Sequence, residues 1–388
     1  MKAIVLIGGQ GTRLRPLTYT TTKAMLPIVN QPFLDRLIRR LEANDVSNIV
    51  FAINYLANDL QAYLEQQKKN YKAKITCSIE PQPLGSGGAL KYNAEYLEET
   101  FLLLNGDILT DLDYKKMVRF HKEKNAQVTV NIAQVSDPTR FGVIDTDSQD
   151  RVISWQEKPS IEEARSNWVN VGVWVIDPSV LLEIPSNRFV SLEREVFQSM
   201  VGTKSPFYAF KSHGYWADIG TPSSYAQIHK DILFGKIEEP ILGVRDHRHN
   251  VWAVTSDIIS PAVSIFGPAA FGEDIYMGNG VSITGPSVFG ARCKIAPNAS
   301  IADSILWDDV EVGEEAIIKN SIIGRNVRLA PKVRISNSVI ADDVFIDVPE
   351  LDSAQIGPGT SLSHKSLIHS ALQQNLWVDS GSGSFPRV

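Results

Sequence analysis

From residue 259 onward apolar residues recur at every sixth position: Ile259, Ile265, Phe271, Met277, Ile283, Phe289, Ile295 and Ile301. The row then runs on in steps of five and six through Leu306, Val312, Ile318, Ile323, Leu329, Ile335, Ile340 and Ile346. Its full period is seventeen residues, marked by SVFG, SILW, SIIG and SVIA beginning at Ser287, Ser304, Ser321 and Ser338. Three short strands per period, each turning one apolar side chain inward, predict a triangular parallel β-helix of about five coils. After about residue 348 the repeat blurs, and the terminal DSGSGSFPRV reads as a mobile tail.

The first part of the chain has a different grammar. Short β-rich runs at 3–7, 48–53, 74–79, 101–105, 127–133, 151–157 and 168–176 alternate with helical patterns at 32–44, at 57–68, after Asp113 and at 222–234. In the first of these helices Phe33, Leu34, Leu37, Ile38 and Leu41 form an apolar stripe behind Pro32. Such alternation predicts an α/β domain, a Rossmann-like and mostly parallel sheet flanked by helices. The expected organisation is therefore an α/β domain over 1–235, a linker over 236–255, a β-helix over 256–360 and a tail over 361–388.

A net charge of −6 argues against wholesale nucleic-acid binding, so any anion site must be a local cluster of Lys and Arg. Two cysteines, Cys77 and Cys293, are too few for a disulfide scaffold and read as free, buried thiols, which suits a reducing cytoplasm. The opening MKAIVLIGG is too short for a signal peptide or a membrane span, and no membrane association is expected.

One short stretch carries most of the chemistry: VLIGGQGTRLRPLT, from Val5 to Thr18. A buried strand followed by Gly8, Gly9 and Gly11 places backbone N–H groups at the carboxyl end of a parallel strand, where open α/β sheets bind ligands. The glycines alone fit either a tight turn or the close approach of a phosphate or a base. Their spacing is neither the dinucleotide-binding fingerprint nor a P-loop. Arg13 and Arg15 favour an oxyanion, because two guanidinium groups beside such a turn are costly without one.

GGQGTRLRPLT, Lys23 and MLPIVNQPFL (25–34) together resemble the signature of the sugar-1-phosphate nucleotidyltransferases, the nucleotide-sugar pyrophosphorylases. The resemblance continues in family order through EPQPLGSGGAL (80–90), NGDIL (105–109), FGVIDTD (141–147), EKP (157–159), NVGVW (170–174) and GYWADIGTP (214–222). A hexapeptide-repeat tail is also a family habit, and the resemblance implies that it winds left-handed. One departure is visible: Thr22 stands before Lys23 where the family usually has Pro, which would stiffen the loop that aims the lysine.

The resemblance implies a reaction between a nucleoside triphosphate and a sugar 1-phosphate, with a phosphate oxygen attacking the α-phosphorus and pyrophosphate leaving. No protein nucleophile is needed, and catalysis rests on positioning and on charge neutralisation. By the same carry-over Arg13, with the backbone of Gly8, Gly9, Gly11 and Thr12, meets the triphosphate, and Lys23 bridges the phosphates at the reacting centre. Lys158 holds the sugar phosphate and Glu157 accepts from sugar hydroxyls. Gly142, Asn170, Val171 and Gly172 line the sugar pocket. Gly85, Gly87 and Gly88 form a base-binding turn beside Gln82.

Asp107, at the carboxyl tip of the strand FLLLN, and Asp218, in GYWADIG, are the expected clamp for Mg²⁺. Asp111 reads as a helix cap and Asp113 as a solvated first-turn charge. Trp155, Trp168, Trp174 and Trp216 read as core residues of strands, and His247 and His249 as part of a solvated linker.

Within the family the resemblance is nearest to members that use GTP and mannose 1-phosphate, on GGQGTRLRPLT, PLGSGGAL and VSLEREVF (190–197). Thymidylyl-, uridylyl- and adenylyltransferases acting on glucose 1-phosphate remain open. So does a regulatory homologue without turnover, although Arg13, Lys23, Asp107, Lys158 and Asp218 are all retained. An acyltransferase role for the β-helix finds no evident catalytic histidine. The β-helix is expected to supply a surface for homo-oligomer formation or regulation and no catalytic residue.

Overall fold

The computed structural model describes residues 1–54, 56–247, 250–254 and 262–363, with the backbone of 377–378. Ile259, His249 and most of the proposed tail lie outside the described residues. The chain divides into two compact units, Met1–Gln10 with Leu34–Asp218, and Gly11–Phe33 with Ile219–Val388.

The first unit is built on a nine-stranded sheet. In chain order its elements are β1 (Lys2–Ile7), α1 (Phe33–Ala43, from Leu34 on), β2 (Asn48–Ile53), α2 (Ala57–Gln67), β3 (Lys74–Ile79), α3 (Gly85–Tyr92) and β4 (Phe101–Asn105). There follow β5 (Ile108–Thr110), α4 (Tyr114–Glu123), β6 (Val128–Gln134), β7 (Gly142–Thr146), β8 (Val152–Glu157), β9 (Trp168–Ile176), α5 (Phe197–Gly202), β10 (Phe207–Lys211) and β11 (Trp216–Asp218).

The central order is β8-β7-β9-β4-β1-β2-β3. β1, β2, β3 and β4 are parallel, whereas β9 runs antiparallel to β4 and β6. The chain moves from β1 outward to β2 and β3, then returns to the other side of β1 as β4. That reversal is the switch point at which open α/β sheets leave a crevice for ligands. One core cluster joins Ile4, Leu103, Val130, Trp174, Phe197 and Phe207, all at most 1% exposed. Trp155 and Trp174 are core residues, as expected, while Trp168 and Trp216 are half-buried.

In the second unit a two-residue turn joins the strands Pro27–Ile28 and Gln31–Pro32, and helix α6 (Pro222–Leu233) starts with a capping box at Thr221. The β-helix follows. Its three parallel sheets run from Val251–Ala253 to Trp377–Val378, from Ser264–Phe266 to Glu350–Asp352, and from Tyr276–Met277 to Ser361–Ser363, so the first and third reach into the stretch read as a tail over 361–388. The repeat row faces inward: Phe271, Ile283, Phe289, Ile295, Ile301, Leu306 and their successors to Ile346 are buried, while Ile265 and Met277 at the first coils are only partly covered.

Two devices account for the seventeen-residue period. The buried hydroxyls of Ser287, Ser304, Ser321 and Ser338 accept N–H groups from the coil above, at 3.1–3.2 Å. Corners are turned by single residues with positive φ, among them Asn298, Asp303, Asp309, Asn320, Asn326, Asn337 and Asp343. Asn and Asp tolerate that conformation better than most side chains.

Some details differ from the sequence reading. The segment read as a loose linker carries strands Val244–Asp246 and Val251–Ala253, and the second pairs in parallel with Ala269–Phe271 as a first rung. The blurred repeat past 348 is a further coil, through Leu351, Ile356 and Leu362. Asp113, not Asp111, caps α4, its carboxylate accepting the Lys116 N–H at 3.0 Å. Cys293 is buried but Cys77 only half so, because β3 is the edge strand of the sheet.

Candidate functional site

In the first unit a cavity of about 250 Å³ opens at the carboxyl ends of β1, β2 and β3. It is lined by Leu6 and Gly8, by Ala52 and Asn54, by Glu80 and Pro83, and by Gly85, Ser86, Ala89 and Phe189. A Cβ on Gly9 would meet nothing within 4 Å, so open space lies against this backbone and no protein contact requires the glycine.

The PLGSGGAL motif is the first turn of a helix and not a free turn. Gly87 and Gly88 sit inside α3, at a cost in intrinsic helix propensity. Close approach explains them: a Cβ on Gly87 would stand 2.8 Å from Val190 Cγ1, and one on Gly88 2.8 Å from the Arg188 carbonyl. Gly85 has φ +74, and a Cβ there would lie 2.6 Å from the Val190 carbonyl.

Segment 188–193 is thus laid directly on α3. The Ser86 hydroxyl donates to Glu193 Oε2 at 2.8 Å and accepts the Leu192 N–H at 2.9 Å. A π-helical turn, Leu192–Val196, holds that geometry.

Glu80 is the charged group of this cavity. Its Oε2 accepts the Leu84 N–H at 3.1 Å. Burial raises its carboxyl above the usual range, and the Leu84 N–H partly opposes the rise. Gln82, expected to read the base, is exposed and does not line the cavity. Glu80, Ser86, Phe189 and Glu193 were not singled out from sequence. For Glu80 the available signal was its place one residue beyond a strand end, the logic that selected Asp107.

At the switch point Gly106 N donates to the Leu6 carbonyl at 3.0 Å, and a Cβ on Gly106 would come within 2.8 Å of the same oxygen. This packs the Asp107 turn against the end of β1. The β5–β11 ladder pairs Asp218 with Ile108, so Asp107 and Asp218 occupy neighbouring backbone positions at one end of it, both half-buried. Among the described residues no cluster of three or more His, Cys, Asp or Glu forms a metal site. Two carboxylates fit a hard divalent cation that takes its remaining ligands from phosphate and water.

The residues assigned to the sugar lie on the adjoining strands. A register shift in β9 between Asn170 and Trp174 bulges Val171 and Gly172 out of the ladder. Asn170 Oδ1 accepts the Gly172 N–H at 2.9 Å, and Gly172, with φ +79, leaves only 2.8 Å between its missing Cβ and Asn105 Nδ2. Val171 is buried and Asn170 half-buried. Gly142 faces Glu157 across β7 and β8. Lys158 follows in the left-handed region at φ 51, its amide donating to the Phe141 carbonyl at 3.0 Å. Its ammonium is 3.8 Å from Glu157 Oε1 and 61% exposed. A lysine held in a costly backbone conformation directly after β8 is the kind of strain that collects at functional sites.

In the second unit Gly11 takes φ +63, its carbonyl accepting the Thr18 hydroxyl at 2.8 Å. A Cβ there would be 3.1 Å from Lys23 Cγ. Thr12 and Arg13 open a short 3₁₀ turn, Thr12–Leu14, with both side chains exposed, and Lys23 begins another, Lys23–Met25. The Arg15 guanidinium instead lies 4.9 Å from the centre of the Tyr19 ring.

Residues 2–234 match the model described as nucleotidyl transferase. The chain belongs to the nucleotidyl transferase family. Residues 259–376 match a second model, the GMPPB C-terminal domain.

Among curated relatives of this nucleotidyltransferase, a UTP–glucose-1-phosphate uridylyltransferase of Synechocystis sp. is 30% identical over 81% of this chain and 85% of its own length. A mannose-1-phosphate guanylyltransferase of Mycobacterium tuberculosis is 32% identical over 72% of this chain and 77% of its own. Among solved structures, HddC from Yersinia pseudotuberculosis complexed with GMP-PN superposes with a TM-score of 0.52 at 29% identity, covering 60% of this chain and 99% of that one. Sugar-1-phosphate nucleotidyl transfer, the reaction class expected from sequence, is the class both curated relatives share. No helix among the described residues is long and apolar enough to cross a membrane.

Proposed function

We propose that this nucleotidyltransferase joins GTP to mannose 1-phosphate, releasing pyrophosphate and forming GDP-mannose. The observation that carries the choice of base is Glu80. A half-buried carboxylate in a cavity large enough for a base calls for donors, and an ionised carboxylate offers only acceptors. Guanine presents two adjacent donors, N1–H and N2–H₂, on one edge. Uracil and thymine present a single N–H there, and adenine a single amino group beside an acceptor nitrogen. The curated guanylyltransferase relative supports the same reading. The uridylyltransferase relative makes UTP with glucose 1-phosphate the second reading.

In the proposed reaction Arg13 and Lys23 neutralise the triphosphate, Lys158 fixes the sugar phosphate, and Glu157 and the Asn170–Gly172 bulge hold sugar hydroxyls. No side chain is required as nucleophile, so these residues act by orientation and by charge. Asp107 and Asp218 would hold Mg²⁺, which when bound supplies charge neutralisation for the phosphates. The same reading includes a homo-oligomer.

Turnover of GTP, UTP, dTTP and ATP against mannose and glucose 1-phosphates tests this. GTP with mannose 1-phosphate is expected to give the highest kcat/KM. Glu80→Gln, which replaces one acceptor with a donor, should lower kcat/KM for GTP by about tenfold to a hundredfold and leave UTP nearly unaffected. Preference of the wild-type protein for UTP would reject the guanylyl reading and leave the reaction class standing.

A further inference from the structure

Arg13 and Lys23 lie in segment Gly11–Phe33, which belongs to the same compact unit as α6 and the β-helix. The hairpin within this segment turns through Val29 at φ 44 and Asn30 at φ 63. The left-handed region is costly for a β-branched residue and persists where the surroundings over-determine it. Here they do. Val29 N donates to His229 Nδ1 in α6 at 3.4 Å, and Asn30 Nδ2 donates to the Phe289 carbonyl of the β-helix at 2.9 Å.

Two more contacts hold the same segment. The buried Tyr225 hydroxyl of α6 donates to the Pro27 carbonyl at 2.5 Å and accepts the Trp307 indole N–H at 3.0 Å, linking coil to helix to loop. The Thr20 hydroxyl donates to Asp342 Oδ2 at 3.0 Å, and Oδ1 of the same carboxylate accepts the Arg325 N–H at 2.8 Å. Asp342 is only 7% exposed. The Arg325 guanidinium lies 3.6 Å from Asp342 and 5.1 Å from the centre of the Trp307 ring. Phe289, Trp307, Arg325 and Asp342 come from successive coils, since they are 18, 18 and 17 residues apart (307 − 289, 325 − 307, 342 − 325).

We propose that this edge of the β-helix is a positioning device for the loop that carries Arg13 and Lys23, with Asp342, acting through Thr20, and Trp307, acting through Tyr225, as positioning residues for the triphosphate. The inference rests on the assignment of Arg13 and Lys23 to the triphosphate made above. It adds a further role to the expected one, a surface for homo-oligomer formation or regulation, and assigns the β-helix no catalytic residue. One oxygen of the Asp342 carboxylate joins successive coils by accepting the Arg325 N–H, as Asp308 does for Ala291, and the other is spent on a loop more than three hundred residues away in sequence. An unanchored loop would sample more conformations, and binding would have to order it, weakening affinity for the substrate the loop contacts and for that substrate alone.

The test uses the full chain with Thr20→Val, Tyr225→Phe and the double variant, with Thr20→Ser as the restoring control. Thr20 is exposed, so its substitution removes a hydrogen bond without opening a core. The double variant is expected to lower kcat/KM for the triphosphate by about tenfold, with KM for the sugar phosphate within about twofold and Thr20→Ser close to wild type. Amides of 11–33 should exchange faster in the substrate-free protein while those of β1 and β4 keep their protection.

An equal loss for both substrates, or kinetics and exchange both unchanged, overturns the proposal. Arg13→Ala, assayed in parallel, separates the two claims. If it leaves the triphosphate KM unchanged, the site assignment has failed and this inference falls with it. If it raises that KM while the double variant does not, the positioning role alone is refuted.

Discussion

Thr22 shows how far a single residue can be argued. It stands where the family usually carries Pro, and its backbone, at φ −75 and ψ 156, is one that proline adopts. Its side chain is 4% exposed and its hydroxyl is buried without a hydrogen-bond partner. Thr22→Pro is therefore expected to stabilise the protein by about 0.5–1 kcal/mol, by restricting the unfolded chain and removing an unsatisfied hydroxyl. A calorimetric midpoint above that of the wild type checks it. A fall would mean that the Thr22 N–H, or the freedom of Thr21 before it, is needed. The sequence named this position but not its strain-free geometry, which depends on where the loop is held.

Among the elements, α4 and β6 illustrate a buried polar pair. His121 is 3% exposed, with Nδ1 2.9 Å from the Thr129 hydroxyl. Burial pushes its pKa down from 6.5 to about 4, with Asp177 opposing and Lys122 assisting. The folded state thus prefers the neutral ring, whereas the unfolded chain takes up a proton at the ordinary pKa. Stability from this group is complete above pH 6.5 and is lost as pH falls from 6.5 to about 4, amounting to about 3 kcal/mol in all. Urea melts of wild type and His121→Gln across pH 7.5 to 4 should show a shallower decline in the variant. Parallel curves would assign the acid sensitivity to other groups.

The strands and most helices were legible at this scale because their cue is local apolar periodicity. β2, β3, β4 and β9 have the limits read from sequence. α3 was not legible: three glycines in its first turn signal a loop, and only the close packing of 188–190 shows why a helix tolerates them. The π-turn at Leu192–Val196 had no sequence cue either, since its pattern matches an ordinary helix start.

At the scale of the whole molecule, the order of the chain and its compact units do not coincide. Residues 11–33 leave the sheet domain in sequence and join the β-helix unit in space. Truncation after Phe234 would remove the Phe289, Trp307 and Asp342 partners of the signature loop at once. The truncated protein is expected to keep sheet secondary structure by circular dichroism while losing well over tenfold in transfer activity, more than any one loop contact contributes. Activity within a few fold of the full chain would show that the loop is held without the β-helix.

What the sequence by itself determined is whatever repeats or alternates over short distances: the parallel strands of the sheet, the coil period of the solenoid, the inward row from Phe271 to Ile346 and the glycine- and arginine-bearing motifs. Regular elements follow from local periodicity, and motifs from the chemistry of phosphate recognition. Only the tertiary structure decided that Glu80 lines the cavity at the ends of β1, β2 and β3 while Gln82 does not, that Asp218 pairs beside Asp107, and that Asp342 reaches Thr20. Each joins residues whose partners are set by packing distant segments, and no local pattern encodes which side chain will end within 3 Å of another.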